Sequence, residues 1–472
     1  MVDLYVMVLL KSALSIIILL PPLLLMSILK WSALRAGALF LFCVMISVNT
    51  VYGMGLEDVL SGFYEGTLLG LNIAYIVASA LTFFMVYEAL GYLRALKAFL
   101  ARESSKRYQL ALLLTVFLGG FLESIAGFGT PVAVISPILV SIGFEWSKAV
   151  VLSLVGHSWA VSYAAFGVPT AALSDVTQVD FHKLCDHTAV FLAVGLVLIL
   201  LYEIKSLGVN KIGIPLCIYV LMSPILFSLL ALVTGVYTPL LLSLFMLSSS
   251  FLFILGKETF KLVLRALLPY YALSISLLLA MLLKKSLLYA LSALILHTGT
   301  ITFLFTISLI LSAKGASTIN SNMLLRLTSN IIKLSITFVV LMAGSTLAAR
   351  SGMMRDIARV PSSLLGEHYV FLVPFIGLLG TYMTGSNTAS NVLFGSLHSE
   401  YALLSGVNVH IILAAHNAGG ALGSVISPAK ILAGTHSVER RGKEGMILRM
   451  NLKIAALLAL AMDGIALLWM LG

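Results

Sequence analysis

The sequence FLESIAGFGTP, residues 121–131, lies near the middle of an apolar stretch that runs from about 107 to 144. About 20 apolar residues cross the roughly 30 Å hydrocarbon core of a membrane, so this stretch is too long for one crossing. Its glycines and its proline interrupt helical structure at the centre. Because irregular backbone survives at membrane depth only beside protein or a water-filled cavity, the stretch predicts a re-entrant hairpin.

A second stretch of the same kind lies in the other half of the chain. Residues 369–401 are apolar and are interrupted by TGSNTASN, residues 384–391. Glycine and short polar side chains at its centre again favour a break in the helix. We therefore predict a second re-entrant hairpin there.

The remaining chain is also suited to lipid. Of 472 residues, 60% are hydrophobic and 10% are charged, with a mean hydropathy of +1.08. Soluble domains carry about 25% charged residues, so this composition excludes a soluble enzyme. Apolar windows of crossing length predict twelve membrane spans in an all-α polytopic membrane protein. They are residues 4–27, 31–52, 66–93, 147–168, 186–203, 213–234, 238–256, 266–283, 286–311, 332–349, 407–427 and 452–471.

The basic residues orient these spans. The net charge is +10, and cytoplasmic loops are the segments that concentrate lysine and arginine. If both hairpins return to the side they entered from, one side collects 22 basic residues, including Lys430. The other side has six: Lys183, Lys284, Lys285, Arg350, Arg355 and Arg359. This predicts both termini outside a plasma membrane, with anionic lipid rather than nucleic acid as the neighbour of the positive charge.

A shift of 259 residues lays the first half of the chain on the second. It carries Gly127 onto Ser386, His157 onto His416 and Pro169 onto Pro428. We predict a first repeat over 1–203, a connecting helix pair over 204–262 and a second repeat over 263–472. Equivalent elements are an odd number of crossings apart, so the repeats are inverted. Inverted repeats with paired broken helices are typical of secondary transporters.

The two breaks are the predicted substrate site. Half-helix N-termini present unpaired N–H groups that suit a small anion, and short polar side chains add hydrogen bonds. The candidates are Gly127, Phe128, Gly129 and Thr130 at the first tip and Ser386, Asn387, Thr388, Ser390 and Asn391 at the second. Alternatively, the serine, threonine and asparagine side chains only cap the half-helix.

Ionisable groups inside spans are few. Glu123 lies four residues before Gly127 and is the predicted proton carrier, or else a buried hydrogen-bond partner. His157 and His416 occupy equivalent positions beside Ser158 and Asn417, and histidine titrates near neutrality. The pair is therefore predicted to share proton or substrate binding, with plain hydrogen bonding as the alternative.

Other polar groups have weaker interpretations. Lys11 and Asp463 are predicted to form a structural pair, and His297 to serve packing. Pro169 and Pro428 end apolar runs, which frees backbone carbonyls at membrane depth or merely kinks the helices. The histidines form no H-E-x-x-H motif and the three cysteines no C-x-x-C pair, so we expect neither a metal nor a cofactor.

The two tip motifs resemble those of the L-lactate permease family. FLESIAGFGTP is similar to that family's FLEGAAGFGTP, and TGSNTASN is similar to its TGSDTSSN. His157-Ser158 and His416-Asn417 stand where the family has Asn-Thr pairs ahead of Gly-Ile-Pro and Ile-Ser-Pro. The resemblance covers most of residues 107–170 and 345–435. This sequence departs from the family at Asn387, where an acidic residue is usual, and at the two histidines.

The resemblance implies proton-coupled symport of L-lactate or a similar small 2-hydroxy monocarboxylate across the plasma membrane. The second tip also resembles those of sodium-coupled dicarboxylate symporters, which implies a homodimer with an elevator motion. The alternative within transport is sodium-coupled uptake of a carboxylate or another small anion. A membrane-embedded enzyme and a passive channel are further alternatives, although no catalytic cluster supports the first.

Overall fold

A computed structural model describes residues 11–15, 17, 31–101, 103–127, 129–255, 257–284, 297–312 and 319–471. About 90% of the structure is helix, and the described residues form no strand. The predicted all-α membrane fold is therefore confirmed at the level of its class.

The first part of the fold holds helices α1 to α9. Their bounds are, in order, Ala33–Thr50, Leu56–Ala89, Tyr92–Ala101, Arg107–Leu113, Gly119–Ile125, Thr130–Ser141, Trp146–Gly156, Ala164–Thr177 and Phe181–Leu207. A π-helical turn, Leu114–Leu118, joins α4 to α5, and a 3-10 segment, Ser158–Tyr163, joins α7 to α8. Polar side chains cap the N-termini of several helices. At α9, the Asp180 carboxylate accepts a hydrogen bond from the Lys183 backbone N–H at 2.7 Å. This bond stabilises the charged carboxylate and holds the pKa of Asp180 below its usual range.

Helices α10 to α22 complete the fold. Their bounds are, in order, Val209–Ile212, Ile214–Leu221, Ser223–Thr234, Thr238–Ile254, Lys257–Lys284, Thr298–Ser312, Ser321–Arg350, Met353–Leu365, Val373–Thr384, Asn387–Ser405, Val409–Gly423, Pro428–Ser437 and Glu444–Leu471. Short 3-10 segments, Gly366–Leu372 and Ser424–Ile426, precede α18 and α21.

Ten helices or helix runs of the described chain are long and apolar enough to cross a membrane, and the bent pair α7–α8 makes an eleventh. The predicted number of twelve is not confirmed. Most of the predicted span 4–27 and the start of 286–311 lie outside the described residues.

The predicted spans 213–234 and 238–256 form one apolar run, Ile214–Ile254. This run folds back at the 3-10 turn Gly235–Tyr237, which brings the Tyr219 and Ser249 hydroxyls into contact. Two antiparallel segments therefore lie where the sequence predicts the connecting pair.

The first predicted hairpin, hairpin 1, comprises α4, α5 and α6. Helix α5 ends at Ile125 and α6 begins at Thr130, with Gly127 and Gly129 at positive φ of 60° and 82° between them. At the base, Arg107 Nη1 donates to the Gly143 carbonyl at 3.4 Å. Residues 107–143 thus form a helical hairpin broken where the glycines predict, and re-entry into a membrane stays a prediction.

The second predicted hairpin, hairpin 2, comprises α18 and α19. Gly385 lies in the left-handed region with φ of 76°, and Ser386 is extended before α19 begins. The two arms pack closely, since Ser390 Oγ donates to the Gly377 carbonyl at 3.2 Å. At the base, the Tyr401 hydroxyl donates to the Gly366 carbonyl at 2.8 Å.

Hairpin 1 and the helices α20 and α21 lie at the centre of the protein. In Arg107–Ile125 and in Val409–Ser437, 89% of the residues of the apolar 18-residue window are buried, against 44% in Met353–Thr384 and 33% in the outer spans Ala33–Thr50 and Ile214–Ile254. The exposed apolar surface of the outer spans suits contact with lipid acyl chains. The break of hairpin 1 is therefore enclosed by protein, as non-helical backbone at membrane depth requires, whereas Gly385 and Ser386 at the tip of hairpin 2 are half-buried.

The outer helices α2 and α16 pack through small residues. A Cβ atom at Gly66 would lie 2.5 Å from the Cα atom of Ala343, and one at Gly70 would lie 2.5 Å from the Cα atom of Val339. Gly62, Gly66 and Gly70 recur every four residues along one helix face. This small-residue spacing lets helix backbones approach closely in a membrane.

Gly66→Ala is expected to lower stability by about 1–3 kcal/mol, because its methyl group meets backbone that cannot rotate away. The midpoint of thermal unfolding in detergent measures the loss. Gly464→Ala is the matched control, because that position in α22 has open space around a Cβ atom. Equal midpoints for the two variants would contradict the close packing of α2 on α16.

The predicted pair of Lys11 and Asp463 is wrong. The Lys11 ammonium lies over the Tyr52 ring, 5.4 Å from its centroid. Asp463 Oδ1 has no hydrogen-bond partner among the residues that the structure describes. His297 packs beside the Tyr75 ring and contacts Asn72 Oδ1 at 2.9 Å, in keeping with its predicted packing role.

Candidate functional site

The tips of both hairpins meet the start of α21. A Cβ atom at Gly129 would lie 3.7 Å from the Cα atom of Lys430, and one at Gly385 would lie 3.3 Å from the Cβ atom of Ala429. Ser427 Oγ also donates to the Gly385 carbonyl at 3.2 Å. The two breaks that the sequence predicts are thus brought to one place by a third break, the 3-10 segment before Pro428.

Lys430 lies between the tips and is buried, with 6% of its surface exposed. Its Nζ donates to Glu123 Oε1 at 2.9 Å, contacts His157 Nε2 at 3.0 Å and reaches Ser424 Oγ at 3.4 Å. An ammonium group has three N–H donors, so these contacts use all of them. The buried positive charge is thereby paired with the Glu123 carboxylate, which is 1% exposed.

The tautomer of His157 follows from its partners. His157 Nδ1 lies 2.6 Å from the Ser153 carbonyl, which only accepts hydrogen bonds, so Nδ1 carries the hydrogen. Nε2 then offers a lone pair to the Lys430 ammonium. His157 is neutral in this arrangement, and its Nε2 lies 3.7 Å from Glu123 Oε2. The cluster of Lys430, Glu123 and His157 has a net charge of zero.

Lys430 corrects the sequence analysis, which counts it among the basic residues of the cytoplasmic side. It lies instead at the centre of the protein, 307 residues from its partner Glu123. A signal was present in the sequence: Lys430 follows Pro428 by two residues, and Pro428 is predicted to end a helix at membrane depth. A lysine two residues after such a break is itself expected to lie at membrane depth.

A second polar network fixes hairpin 2. Asn417 Oδ1 accepts from Asn387 Nδ2 at 3.0 Å and from Asn391 Nδ2 at 2.9 Å. Asn417 Nδ2 donates to Thr170 Oγ1 at 2.9 Å, which ties α20 to α8. Asn391 Nδ2 also donates to the Pro169 carbonyl at 2.8 Å, which ties α19 to α8.

A small cavity lies between this network and the Lys430 cluster. Its polar lining consists of Glu123, Lys430, Ser386, Asn387 and Thr388, and α8, Gly385 and Val161 of the preceding 3-10 segment supply the remaining wall. The α8 wall is irregular, since Ala165 and Phe166 have positive φ of 46° and 62°. Non-glycine residues in that region are strained, and such strain is often found at functional sites.

The predicted site residues divide into three groups. Glu123, Ser386, Asn387 and Thr388 line the cavity, while His157, Ser390, Asn391, His416 and Asn417 lie behind it and position others. Ser386 also caps α19, because its Oγ accepts from Ala389 N at 3.4 Å. Gly127, Gly129, Thr130 and Ser158 are not part of the cavity lining, and the Ser158 hydroxyl donates to the Val155 carbonyl. Phe128 lies outside the described residues.

Within the described part of the chain, no three histidine, cysteine, aspartate or glutamate side chains are grouped to hold a metal ion. The cluster offers a buried lysine paired with a carboxylate and a neutral imidazole. Intramembrane groups of this kind typically mark substrate and proton pathways. Together with the broken helices, they are typical of membrane transport proteins.

Comparison with known proteins identifies the family. A family model described as L-lactate permease matches residues 10–254 and 215–471, and the chain belongs to that family. It is similar to the L-lactate permease of Streptococcus iniae, with 26% identity over 431 residues, 81% of this chain and 89% of that protein. The L-lactate permease of Halalkalibacterium halodurans is 24% identical over 480 residues, 91% of each chain.

Two further similarities are more limited, the first in the length of chain that it covers and the second in sequence identity. The chain is 36% identical to glycolate permease GlcA of Escherichia coli over 118 residues, 25% of this chain and 21% of that protein. The structure of Neisseria gonorrhoeae MtrF, one of a class of antimetabolite efflux pumps, superposes with a TM-score of 0.50 at 14% identity. The superposition covers 90% of this chain and 84% of MtrF, and it supports the fold alone.

Proposed function

We propose that the protein is a proton-coupled symporter of L-lactate or a similar small 2-hydroxy monocarboxylate. The observation that carries this proposal is the buried Lys430–Glu123 ion pair on the wall of the cavity between the two helix breaks. The membership in the L-lactate permease family supports the choice of substrate.

Charge balance supports coupling to a proton. A substrate carboxylate that approaches Lys430 adds a second negative charge beside Glu123, and an unbalanced charge in a low-dielectric interior is costly. A proton on Glu123 removes its negative charge and frees the ammonium group for the substrate. The anion and the proton then enter together, and the net charge of the cluster stays at zero.

The second tip supports recognition of the rest of the substrate. Helix α19 begins at Asn387, which lines the cavity, so the partial positive charge of this helix N-terminus lies beside the cavity. Ser386 and Thr388 offer hydroxyl groups for the 2-hydroxyl of the substrate. Removing such partners is expected to weaken discrimination against acids that lack the hydroxyl.

Glu123→Gln is expected to abolish uptake of labelled L-lactate driven by an inward pH gradient and to spare lactate counterflow. The glutamine cannot carry the proton, yet it leaves Lys430 able to bind a carboxylate. Initial rates in proteoliposomes measure both modes of transport. Glu88→Gln is the matched control, because Glu88 is exposed. Unchanged pH-driven uptake in Glu123→Gln would exclude Glu123 as the proton carrier.

Sodium coupling is tested in the same vesicles. If uptake follows the sodium gradient and is lost when choline replaces sodium, the alternative of sodium-coupled carboxylate transport is correct. Saturable counterflow argues against a passive channel.

We further propose a plasma-membrane location with both termini outside, re-entrant hairpins in inverted repeats and a homodimer with an elevator motion. Two observations support this arrangement: the break of hairpin 1 is buried in protein, and both breaks meet α21. Accessibility of single cysteines at residues 120–131 and 381–391 tests the hairpins, because lipid-tight continuous helices would not be labelled.

A further inference from the structure

His398 and His416 form a second buried imidazole pair, on α19 and α20. Both side chains are fully buried, and their ring centroids are 4.7 Å apart. Among the described residues, neither His398 Nε2 nor His416 Nδ1 has a hydrogen-bond partner. Two adjacent buried imidazoles that each leave one nitrogen unused need an explanation beyond packing.

The hydrogen bonds of His416 determine which of its nitrogens is free to accept. Ser390 Oγ donates its hydrogen to the Gly377 carbonyl at 3.2 Å. It therefore accepts from His416 Nε2–H at 3.4 Å. A neutral imidazole carries one hydrogen, so His416 Nδ1 has a free lone pair. That lone pair is a vacant proton acceptor inside the protein.

Exchangeable groups lie between this acceptor and the segment of the chain that reaches the surface. The Tyr369 hydroxyl lies 3.3 Å from His398 Nδ1, and the His398 ring lies against His416. Tyr369 itself is buried, but the two residues before it, Glu367 and His368, are exposed. At the inner end, Ser390 lies one helical turn from Asn387 at the cavity.

We propose that His398 and His416 bind a proton that enters through Tyr369 from the surface that carries Glu367. The proton comes from water, rests on His416 Nδ1 and converts that ring to an imidazolium ion. Its positive charge lies behind the hairpin 2 tip, where it favours the bound carboxylate. The inference rests on the proposed function, and it assigns to hairpin 2 a proton site separate from Glu123.

Most of the surrounding titratable groups have contacts of their own. On the helices packed against the pair they include Tyr401, Glu400, Asp175, His187, His410, Asp463 and, on α17, Arg355, Asp356 and Arg359. Tyr401 donates to Gly366 O, Glu400 pairs with Arg355 at 3.5 Å, and His410 stacks on His187 at 5.6 Å. Asp175 on α8 is half-buried and Asp463 on α22 is buried, and among the described residues no hydrogen bond or ion pair joins either carboxyl to the two imidazoles. The proton is therefore expected to be held by His398 and His416.

His398→Asn tests the proposal, because asparagine keeps polar groups near Tyr369 but does not titrate near neutrality. Proteoliposomes that contain a pH dye report lactate-driven proton uptake, and labelled lactate reports counterflow at equal pH. We expect the rate of lactate-driven proton uptake to fall about tenfold, within the usual range of coupling energies, while counterflow is retained. Tyr369→Phe is expected to act in the same direction. If His398→Asn fails to fold, proton uptake by Tyr369→Phe tests the proposal instead.

His410→Asn is the matched control, because His410 is half-buried and lies outside the proposed route. Wild-type proton uptake and an unchanged pH profile in both His398→Asn and Tyr369→Phe would overturn this proposal alone. Absence of lactate-driven proton uptake in the wild type would overturn the proposed function and this proposal with it.

Discussion

Replacing Lys430 by methionine is expected to reduce both pH-driven lactate uptake and lactate counterflow by at least about 100-fold, as for an interaction of roughly 2.7 kcal/mol. Methionine preserves most of the side-chain volume but removes the ammonium group that contacts Glu123 and His157. The loss of counterflow distinguishes this variant from Glu123→Gln, which retains the group proposed to bind the carboxylate.

The same change leaves Glu123 without its buried partner, and breaking a buried ion pair costs about 3–5 kcal/mol. The unfolding midpoint of Lys430→Met should therefore fall. Adding Glu123→Gln should restore stability but not transport, which separates the structural effect from the functional one. Lys443→Met, at an exposed lysine, is the control. Counterflow at the wild-type rate in Lys430→Met would contradict a substrate role for this lysine.

Replacing Asn417 by leucine is the second change with a large expected effect. It removes the oxygen that accepts from both Asn387 and Asn391. An unsatisfied buried polar group costs about 1–3 kcal/mol, so loss of these two hydrogen bonds should displace the hairpin 2 tip. We expect a lower unfolding midpoint and loss of both uptake and counterflow.

Thr170→Val serves as a graded comparison for Asn417→Leu. It removes the acceptor for Asn417 Nδ2 and the donor to the Ser162 carbonyl, and it leaves the contacts to hairpin 2 in place. Its effect on transport should be clearly smaller, while Asn49→Ala at an exposed site should have none. If Asn417→Leu transports as well as Thr170→Val does, the network does not position the tip.

The sequence predicts the features of this protein that depend on neighbouring residues. Glycine and proline break helices locally, so the interruptions near Gly127 and Gly385 are found where expected. Apolar length predicts most of the spans for the same reason. The apolar windows predict the ends of the helices less accurately. Helix α2 begins at Leu56 rather than near residue 66, because the helix continues through polar residues beyond the apolar window.

The site was only partly predictable. The sequence indicates Glu123, Asn387 and Asn417, because polar groups inside apolar stretches are costly and few. Charge counting places Lys430 in a loop, because it treats each lysine as exposed unless an apolar window encloses it. The sequence does not indicate His398, because its position within hairpin 2 does not reveal that a second imidazole faces it.

By itself, the sequence determined that the chain is a helical membrane protein with two interrupted helices and few buried charges, because composition and helix breaking are local properties. Only the tertiary structure decided which polar groups are partners. Lys430 meets Glu123 across 307 positions, and Asn417 joins α8, α19 and α20. Such pairings arise from the packing of distant helices, in which each buried charge or amide must find a complementary group, and residue spacing does not encode them.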